Sequence, residues 1–80
     1  MDIGDVIHLG RERRSPLPSP AIRKAIREAA GATQLDLAAV LGVRSATICR
    51  YETGLREPRG PLRVRYAQAL AALAAAGVAE

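Results

Sequence analysis

Residues 34–52 read QLDLAAVLGVRSATICRYE, and this stretch decides the fold of the chain. Leu37, Ala38 and Leu41 recur at the spacing of one helix face, which predicts a helix that ends near Leu41. Gly42 follows, and glycine adopts the left-handed backbone that ends many helices at no steric cost. The stretch therefore predicts two short helices joined by a tight turn.

The second of these helices is expected over about residues 45–52. Val43 should fill the turn before it, and Ile48 should face the first helix. The side chains expected to lie largely outside are Ser45, Ala46, Thr47, Cys49 and Arg50. A helix with small polar side chains and one arginine on its outer face can enter the major groove of DNA. The pattern makes the chain a candidate reader of DNA sequence.

Length and composition bound the remaining possibilities. Eighty residues without Phe or Trp make one small domain, and its alanine-rich apolar share favours closely packed helices over a sheet. The net charge is +4, and Lys24 is the single lysine among 12 basic residues. Arginine pairs well with phosphates and guanine edges. A GC-rich genome or a solvated surface would give the same arginine bias.

Several classes of site find no support in the sequence. The single cysteine, Cys49, excludes an intramolecular disulfide, and His8 lies too far from it along the chain to suggest a zinc site. We find no plausible Ser-His-Asp set and no glycine-rich phosphate loop, so we expect no enzyme, cofactor or metal. No secretory signal or membrane span is evident, which predicts a cytoplasmic protein, nucleoid-associated or in the host cytoplasm if of phage origin.

The N-terminal segment is harder to interpret. Ile3, Val6 and Ile7 follow helical spacing and predict a helix over residues 2–14, although a short strand or a loose arm fits as well. This segment could pack on the domain, mediate dimerisation, or lie along a DNA minor groove through three arginines, Arg11, Arg13 and Arg14.

Residues 15–20, SPLPSP, contain three prolines and predict an extended connector. Ser19 and Pro20 are suited to the cap and first position of a helix that runs to about Ala30, with Gly31 closing it. In this helix the apolar pattern predicts an inward face formed by Ile22, Ala25, Ile26 and Ala29. The residues predicted to face mostly outward are Arg23, Lys24, Arg27 and Glu28.

Turn and cap signals divide the rest of the chain. Thr33 and Asp36 resemble a capping box at the start of the 34–41 helix. Residues 53–60, TGLREPRG, predict a loop. Pro61 should open a last helix that ends at Gly77, with one apolar face made by Leu62, Tyr66, Leu70 and Leu73.

The sequence words TQLDLA (33–38), LGV (41–43), TICRYE (47–52) and TGLREPRG (53–60) resemble the Cro/phage-repressor (Xre-like) helix-turn-helix family. The resemblance runs from about residue 22 to residue 73. It implies an all-α, compact four- to five-helix bundle with a helix-turn-helix, the fold of lambda-repressor-like DNA-binding domains. We expect an arm and connector over 1–20, the DNA-binding domain over 21–76 and a tail over 77–80.

The resemblance also implies roles for individual residues. It matches Ser45, Ala46 and Arg50 to contacts with DNA bases, with a phosphate clamp as the alternative for Arg50. It matches four residues to phosphate contacts: Gln34, Thr47, Arg56 and Arg59. It matches Arg27 and Glu52 to a buried or semi-buried ion pair, for which an exposed pair is the alternative.

One position departs from the family pattern. Arg44 stands where the family often has a capping Ser or Thr. Ser45 is then the expected cap of the following helix, which would shift the helix start by one residue and leave Arg44 as a phosphate contact.

Charge is concentrated where these roles fall. Residues 44–65 hold six arginines against Glu52 and Glu57, a surplus equal to the net charge of the whole chain. Together with the resemblance, this predicts a sequence-specific transcriptional regulator of bacterial or phage origin, in the role of a repressor, which acts as a homodimer on palindromic double-stranded DNA. The apolar tail Ala71–Val78 is the first candidate for the dimer surface and the N-terminal segment is the second.

Two other functions fit the same residues. An antitoxin-type module would use the alanine-rich C-terminus or the N-terminal segment to bind a protein partner, and its DNA binding would be autoregulatory. An architectural or RNA-binding protein would bind nucleic acid with little sequence preference and a steep dependence on salt.

Overall fold

A computed structural model of the chain describes residues 17–79, with side chains described over 17–77. The expected N-terminal helix over 2–14 and its three arginines lie outside the described residues. The described part contains four helices, α1 (Pro20–Ala29), α2 (Gln34–Leu41), α3 (Ser45–Thr53) and α4 (Gly60–Ala79). Residues 17–79 contain no strand, which agrees with the all-α prediction.

Local sequence signals set the first helix boundaries. The Ser19 hydroxyl accepts a hydrogen bond from the Ile22 amide at 3.4 Å, and Pro20 is the first residue of α1. The capping box predicted for α2 is confirmed, because the Asp36 amide donates to Thr33 Oγ1 at 3.0 Å and the Thr33 amide donates to Asp36 Oδ2 at 2.9 Å. Gly42 ends α2 with φ of 70°, in the left-handed region.

The expected cap of α3 was wrong. Arg44, with extended backbone, occupies the cap position and makes no capping hydrogen bond through its side chain. Its carbonyl oxygen already accepts the Thr47 amide at 2.9 Å, so the helix is under way at Ser45. Ser45 lies one residue too far into the helix to cap it.

The hydrophobic core lies between the last three helices. Ala38, one of the three residues of the predicted α2 face, is only 1% exposed. Ile48 of α3 and Tyr66 of α4 are fully buried. The other buried apolar side chains are Leu37, Leu41, Tyr51 and Leu70, with Val43, Leu62 and Leu73 packed against them.

The predicted inward face of α1 was wrong in most of its members. Arg23 and Arg27 are 4% and 7% exposed, whereas Ile22 is 50% exposed. Ile26 is half-buried, and the two alanines expected inward are exposed. The buried guanidinium groups are compensated by carboxylates from α3 and from the loop after it, and only the folded chain brings these groups together.

The last helix also differs from its prediction at both ends. It begins at Gly60 rather than Pro61, and it continues through Gly77 to Ala79. A Cβ atom at Gly77 would lie 3.7 Å from the Cβ of Ala29, so the two small residues allow α4 to pass close to α1. Gly77 therefore lies inside the helix, facing α1, and does not end it.

Candidate nucleic-acid interface

Helix α3 has a buried face and an outer face. Ile48, Tyr51 and Glu52 are buried beneath it. Ala46, Cys49 and Arg50 are exposed, and Ser45 and Thr47 are half-buried. The helix thus presents to solvent a narrow ridge of small side chains with one long cation, and it is held from below by its own apolar residues.

A buried polar cluster formed by Arg27, Gln34 and Glu52, here called the Glu52 cluster, joins three helices. Arg27 donates to Glu52 through Nε at 2.7 Å and through a terminal nitrogen at 3.0 Å. Gln34 Nε2 donates to the same carboxylate at 3.1 Å. The second terminal nitrogen of Arg27 donates to the Ala32 carbonyl at 2.8 Å. The cluster fixes the start of α2 and the end of α3 against α1 through charge-assisted hydrogen bonds.

The Glu52 carboxylate remains ionised in this site. Burial alone would raise the pKa of Glu52, but the hydrogen bonds from Arg27 and Gln34, with the positive charges of Arg27 and Lys24, hold it below its usual value. The hydrogen bond to Glu52 likewise raises the pKa of Arg27 against the opposing effect of burial. Both partners of the pair are therefore charged at neutral pH.

A second buried arginine was not expected from the sequence. The two terminal nitrogens of Arg23 donate to the two carboxylate oxygens of Glu57 at 2.9 and 3.1 Å. This bidentate ion pair is here called the loop anchor. Arg23 also donates to the Tyr51 carbonyl at 3.0 Å and to the Pro18 carbonyl at 2.7 Å. The signal available in the sequence was the spacing, because Arg23 lies four residues before Arg27 and so shares its helix face.

The other arginines expected to contact DNA lie on the surface. Arg44, Arg50, Arg56 and Arg59 are exposed. Within residues 17–77 none of them forms an ion pair. Arg65, counted in the positive surplus, instead donates to the Leu41 carbonyl at 3.0 Å and so binds the C-terminal end of α2. Among the described residues, the four guanidinium groups of the 44–59 segment thus have no carboxylate partner, which suits them to an anionic ligand.

Gln34 and Thr47 are less accessible than these arginines. Both are half-buried. One amide hydrogen of Gln34 is directed to Glu52, while the Gln34 oxygen and the second amide hydrogen remain for another partner. The structure brings Gln34 next to Glu52, which places the first turn of α2 beside the C-terminal end of α3.

Two tyrosines pack beneath the site. The rings of Tyr51 and Tyr66 lie 5.2 Å apart at an angle of 38°. The Tyr66 hydroxyl is buried and finds no hydrogen-bond partner in the described part of the chain. Burial raises the pKa of Tyr66 to about 12. The hydroxyl is therefore a polar group that the fold tolerates without satisfying.

Two features common in other kinds of proteins are missing from the described residues. Over this range no group of three or more His, Cys, Asp or Glu side chains could hold a metal ion. No helix between residues 17 and 79 is long and apolar enough to cross a bilayer.

Comparison with known proteins adds one finding. A protein-family model described as helix-turn-helix matches residues 24–72, which is more than half of the chain. The match confirms the resemblance inferred from the sequence words. Parallel comparisons with curated proteins and with solved structures give no match.

Proposed function

Because the chain belongs to this helix-turn-helix family of the Cro/C1 type, whose members are DNA-binding regulators, we propose that it is a sequence-specific repressor of transcription. In this proposal α3 enters the major groove. Arg50 contacts a guanine edge, and Ser45 and Ala46 contact neighbouring bases. The observation that carries the proposal is the outer ridge of α3, on which a single long donor is surrounded by small side chains.

Phosphate contacts are proposed on both sides of that ridge. Gln34 lies at the N-terminal end of α2, where the helix dipole favours an anion. Arg44, Thr47, Arg56 and Arg59 are proposed to contact the backbone of the same duplex. These contacts would orient α3 without carrying sequence information themselves.

We propose that a homodimer binds a palindromic site, because one half-site gives limited specificity. The surface that supports this lies on the second half of α4. Two apolar depressions flank Leu73 there, one bordered by Ile26 and Ala29 of α1 and the other by Val40 of α2. Val40 is 67% exposed, so a large apolar side chain beside one depression is available to a second copy.

Selection of binding sites from a random pool of duplex DNA, at near-physiological salt, tests the proposal. A repressor of this kind should enrich a palindrome with half-sites about one helical turn apart. If no motif is enriched although the protein binds the pool, sequence-specific regulation is excluded in favour of non-specific binding.

Two variants test the division of roles. Arg50→Ala should relax the preference at one base position, and should lose ~1–3 kcal/mol of discrimination there. Arg59→Ala should instead weaken binding about equally on all sequences and reduce the salt dependence. Lys24→Ala is a matched control, because it removes one exposed cation from α1. Uniform weakening by both arginine variants would contradict the assignment of Arg50 as a base reader.

The dimer is tested separately. Ala72→Arg introduces a charge into the depression beside Val40 and should abolish dimers in sedimentation experiments. Gln68→Arg adds the same charge at an exposed position of α4 that borders neither depression, and should leave the dimer intact. Dimers that persist in Ala72→Arg would exclude this surface.

The same apolar surface favours a second candidate function, an antitoxin-type module. In that case the depressions beside Leu73 bind a small protein partner, and DNA binding regulates the module's own expression. A stable stoichiometric complex with a toxin, lost in Ala72→Arg and kept in Gln68→Arg, would favour this function over the stand-alone repressor.

A further inference from the structure

The loop between α3 and α4 carries two of the proposed phosphate contacts. Five of its six residues, 54–59, are exposed, and Leu55 is 80% exposed. In the described residues its attachments are few. The Pro58 ring is buried, and Glu57 forms a bidentate ion pair with Arg23. The Arg56 amide donates to the Arg50 carbonyl at 3.3 Å, and the Arg59 carbonyl accepts the Arg63 amide at 3.3 Å, so one backbone bond holds each end of the loop. Glu57 follows Arg56 directly and precedes Arg59 by two residues, so the loop anchor holds the centre of the loop.

Building on the proposed function, we propose that Arg23 is a positioning residue for DNA binding. It holds Glu57, and through Glu57 it keeps Arg56 and Arg59 oriented towards the phosphates. Arg23 is only 4% exposed and its donors are directed to Glu57, Tyr51 and Pro18, so it does not itself reach DNA. An untethered loop would have to lose conformational freedom on binding, and that loss weakens affinity.

The geometry favours positioning over a purely electrostatic role. The fork of Arg23 meets both oxygens of Glu57, and its remaining bonds go to the backbone carbonyls of Tyr51, near the end of α3, and of Pro18, before α1. This arrangement fixes direction as well as neutralising charge. A lysine at position 23 would keep the charge but could not form the same fork.

A positioning role and a purely electrostatic role predict opposite changes in DNA affinity for one substitution. Glu57→Gln removes a negative charge from a loop proposed to lie against phosphates, so electrostatics alone predicts tighter binding. Positioning predicts weaker binding, because the amide cannot hold the guanidinium as the carboxylate does. Glu28→Gln is the matched control, since Glu28 is an exposed carboxylate on α1 that forms no ion pair within residues 17–77.

The experiment measures the affinity of the full chain for one duplex, the site selected from the random pool, over a series of salt concentrations. We expect Glu57→Gln to bind about tenfold more weakly than Glu28→Gln, the size of one charge-assisted hydrogen bond. The plot of log affinity against log salt should become shallower by about one phosphate contact or more. Arg23→Lys keeps the net charge and should show the same loss.

A second background separates positioning from general weakening of the fold. When Arg56→Ala and Arg59→Ala are already present, Glu57→Gln should cause no further loss of affinity, because the side chains it positions are absent. A loss of equal size in both backgrounds would overturn the proposal. Binding by Glu57→Gln as tight as by Glu28→Gln would overturn it as well.

Failure of this inference can be told apart from failure of the proposed function. If the wild-type chain binds no duplex, both fall together. If the wild-type chain binds and the Glu57 and Glu28 variants behave alike, the DNA-binding function stands and only the role of Arg23 is rejected.

Discussion

Two arginines of α1, one turn apart, anchor two different kinds of structure. Arg27 binds Glu52, whose side chain is 2% exposed, and it holds helices against each other. Arg23 binds Glu57, whose side chain is 48% exposed, and it holds a loop. The chemistry of the two pairs is the same, so the difference lies in burial. An enclosed pair becomes a condition for folding, whereas a pair at the rim can serve the shape of a binding surface at a smaller cost to stability.

The largest loss of stability is expected when the buried Arg27–Glu52 pair is broken. Glu52→Gln leaves the buried Arg27 guanidinium without its counter-charge, and we expect a loss of ~3–5 kcal/mol in the free energy of unfolding. Urea denaturation followed by circular dichroism measures it. Glu28→Gln should stay within ~0.5 kcal/mol of the wild type. A loss below ~1 kcal/mol in Glu52→Gln would mean that the two pairs do not differ in kind.

Breaking the more exposed Arg23–Glu57 pair should cost less stability. Arg23→Met fills a similar volume but removes the donors to the Tyr51 and Pro18 carbonyls, and we expect a loss of ~1–3 kcal/mol. The Glu57 carboxylate is left in contact with water, so no buried charge is stranded. The same denaturation experiment measures this loss, and a loss as large as that of Glu52→Gln would remove the distinction between the pairs.

The Arg27–Glu52 pair should make the free energy of unfolding depend on pH in the acidic range. Because the folded-state pKa of Glu52 lies below its usual value of 4.5, its contribution is fully present above that pH and is lost as the pH falls towards the folded pKa. The free energy of unfolding of the wild type should therefore fall below about pH 4.5 more steeply than that of Glu52→Gln. Asp36, whose pKa is lowered by hydrogen bonds to Thr33, contributes equally to both proteins and cancels in the difference. Parallel slopes for the two proteins would contradict the prediction.

The smallest change in stability is expected at Tyr66, in the core. Tyr66→Phe removes a hydroxyl that has no partner in the described residues and keeps the ring against Tyr51. We expect a change within ~0.5 kcal/mol, or a slight gain, because no hydrogen bond is lost. Thermal denaturation near neutral pH measures it. A clear loss of stability would indicate that the hydroxyl has a partner after all.

How much could be predicted from the sequence differs between these regions. Apart from the cap of α3, the α2–turn–α3 segment was predictable because its signals are local. Thr33 and Asp36 cap the helix three residues apart, and Gly42 supplies the left-handed backbone that ends it. Ala38 follows from the same short spacing. Such features need only neighbouring residues, so the printed sequence already contains them.

The inward face of α1 could not be found in the same way. In the sequence, Arg23 and Arg27 resemble residues of a solvent-exposed helix face. Only folding brings beside them the carboxylates of Glu57 and Glu52, which lie 34 and 25 residues away. The Arg27 pair was suggested only by family resemblance, and the Arg23 pair by nothing beyond shared helix spacing. The predicted helix end at Gly77 was wrong for a related reason, because α4 continues there against Ala29 of α1, a contact between helices distant in the sequence. Non-local contacts overrode local preference in each case.

The Arg23–Glu57 and Arg27–Glu52 pairs also bear on the rate at which an anionic partner associates. Glu52 and Glu57 are the acidic residues of the 44–65 segment, and each is matched by an arginine from α1, outside that segment. At a distance, the arginines of 44–65 therefore act without local opposition. Such a field raises the rate of encounter with a polyanion, and this gain fades as ionic strength shortens the screening length to about 8 Å at physiological salt. By pairing with both carboxylates from beneath, the inward-facing arginines of α1 leave the positive charge of this segment unopposed at its surface.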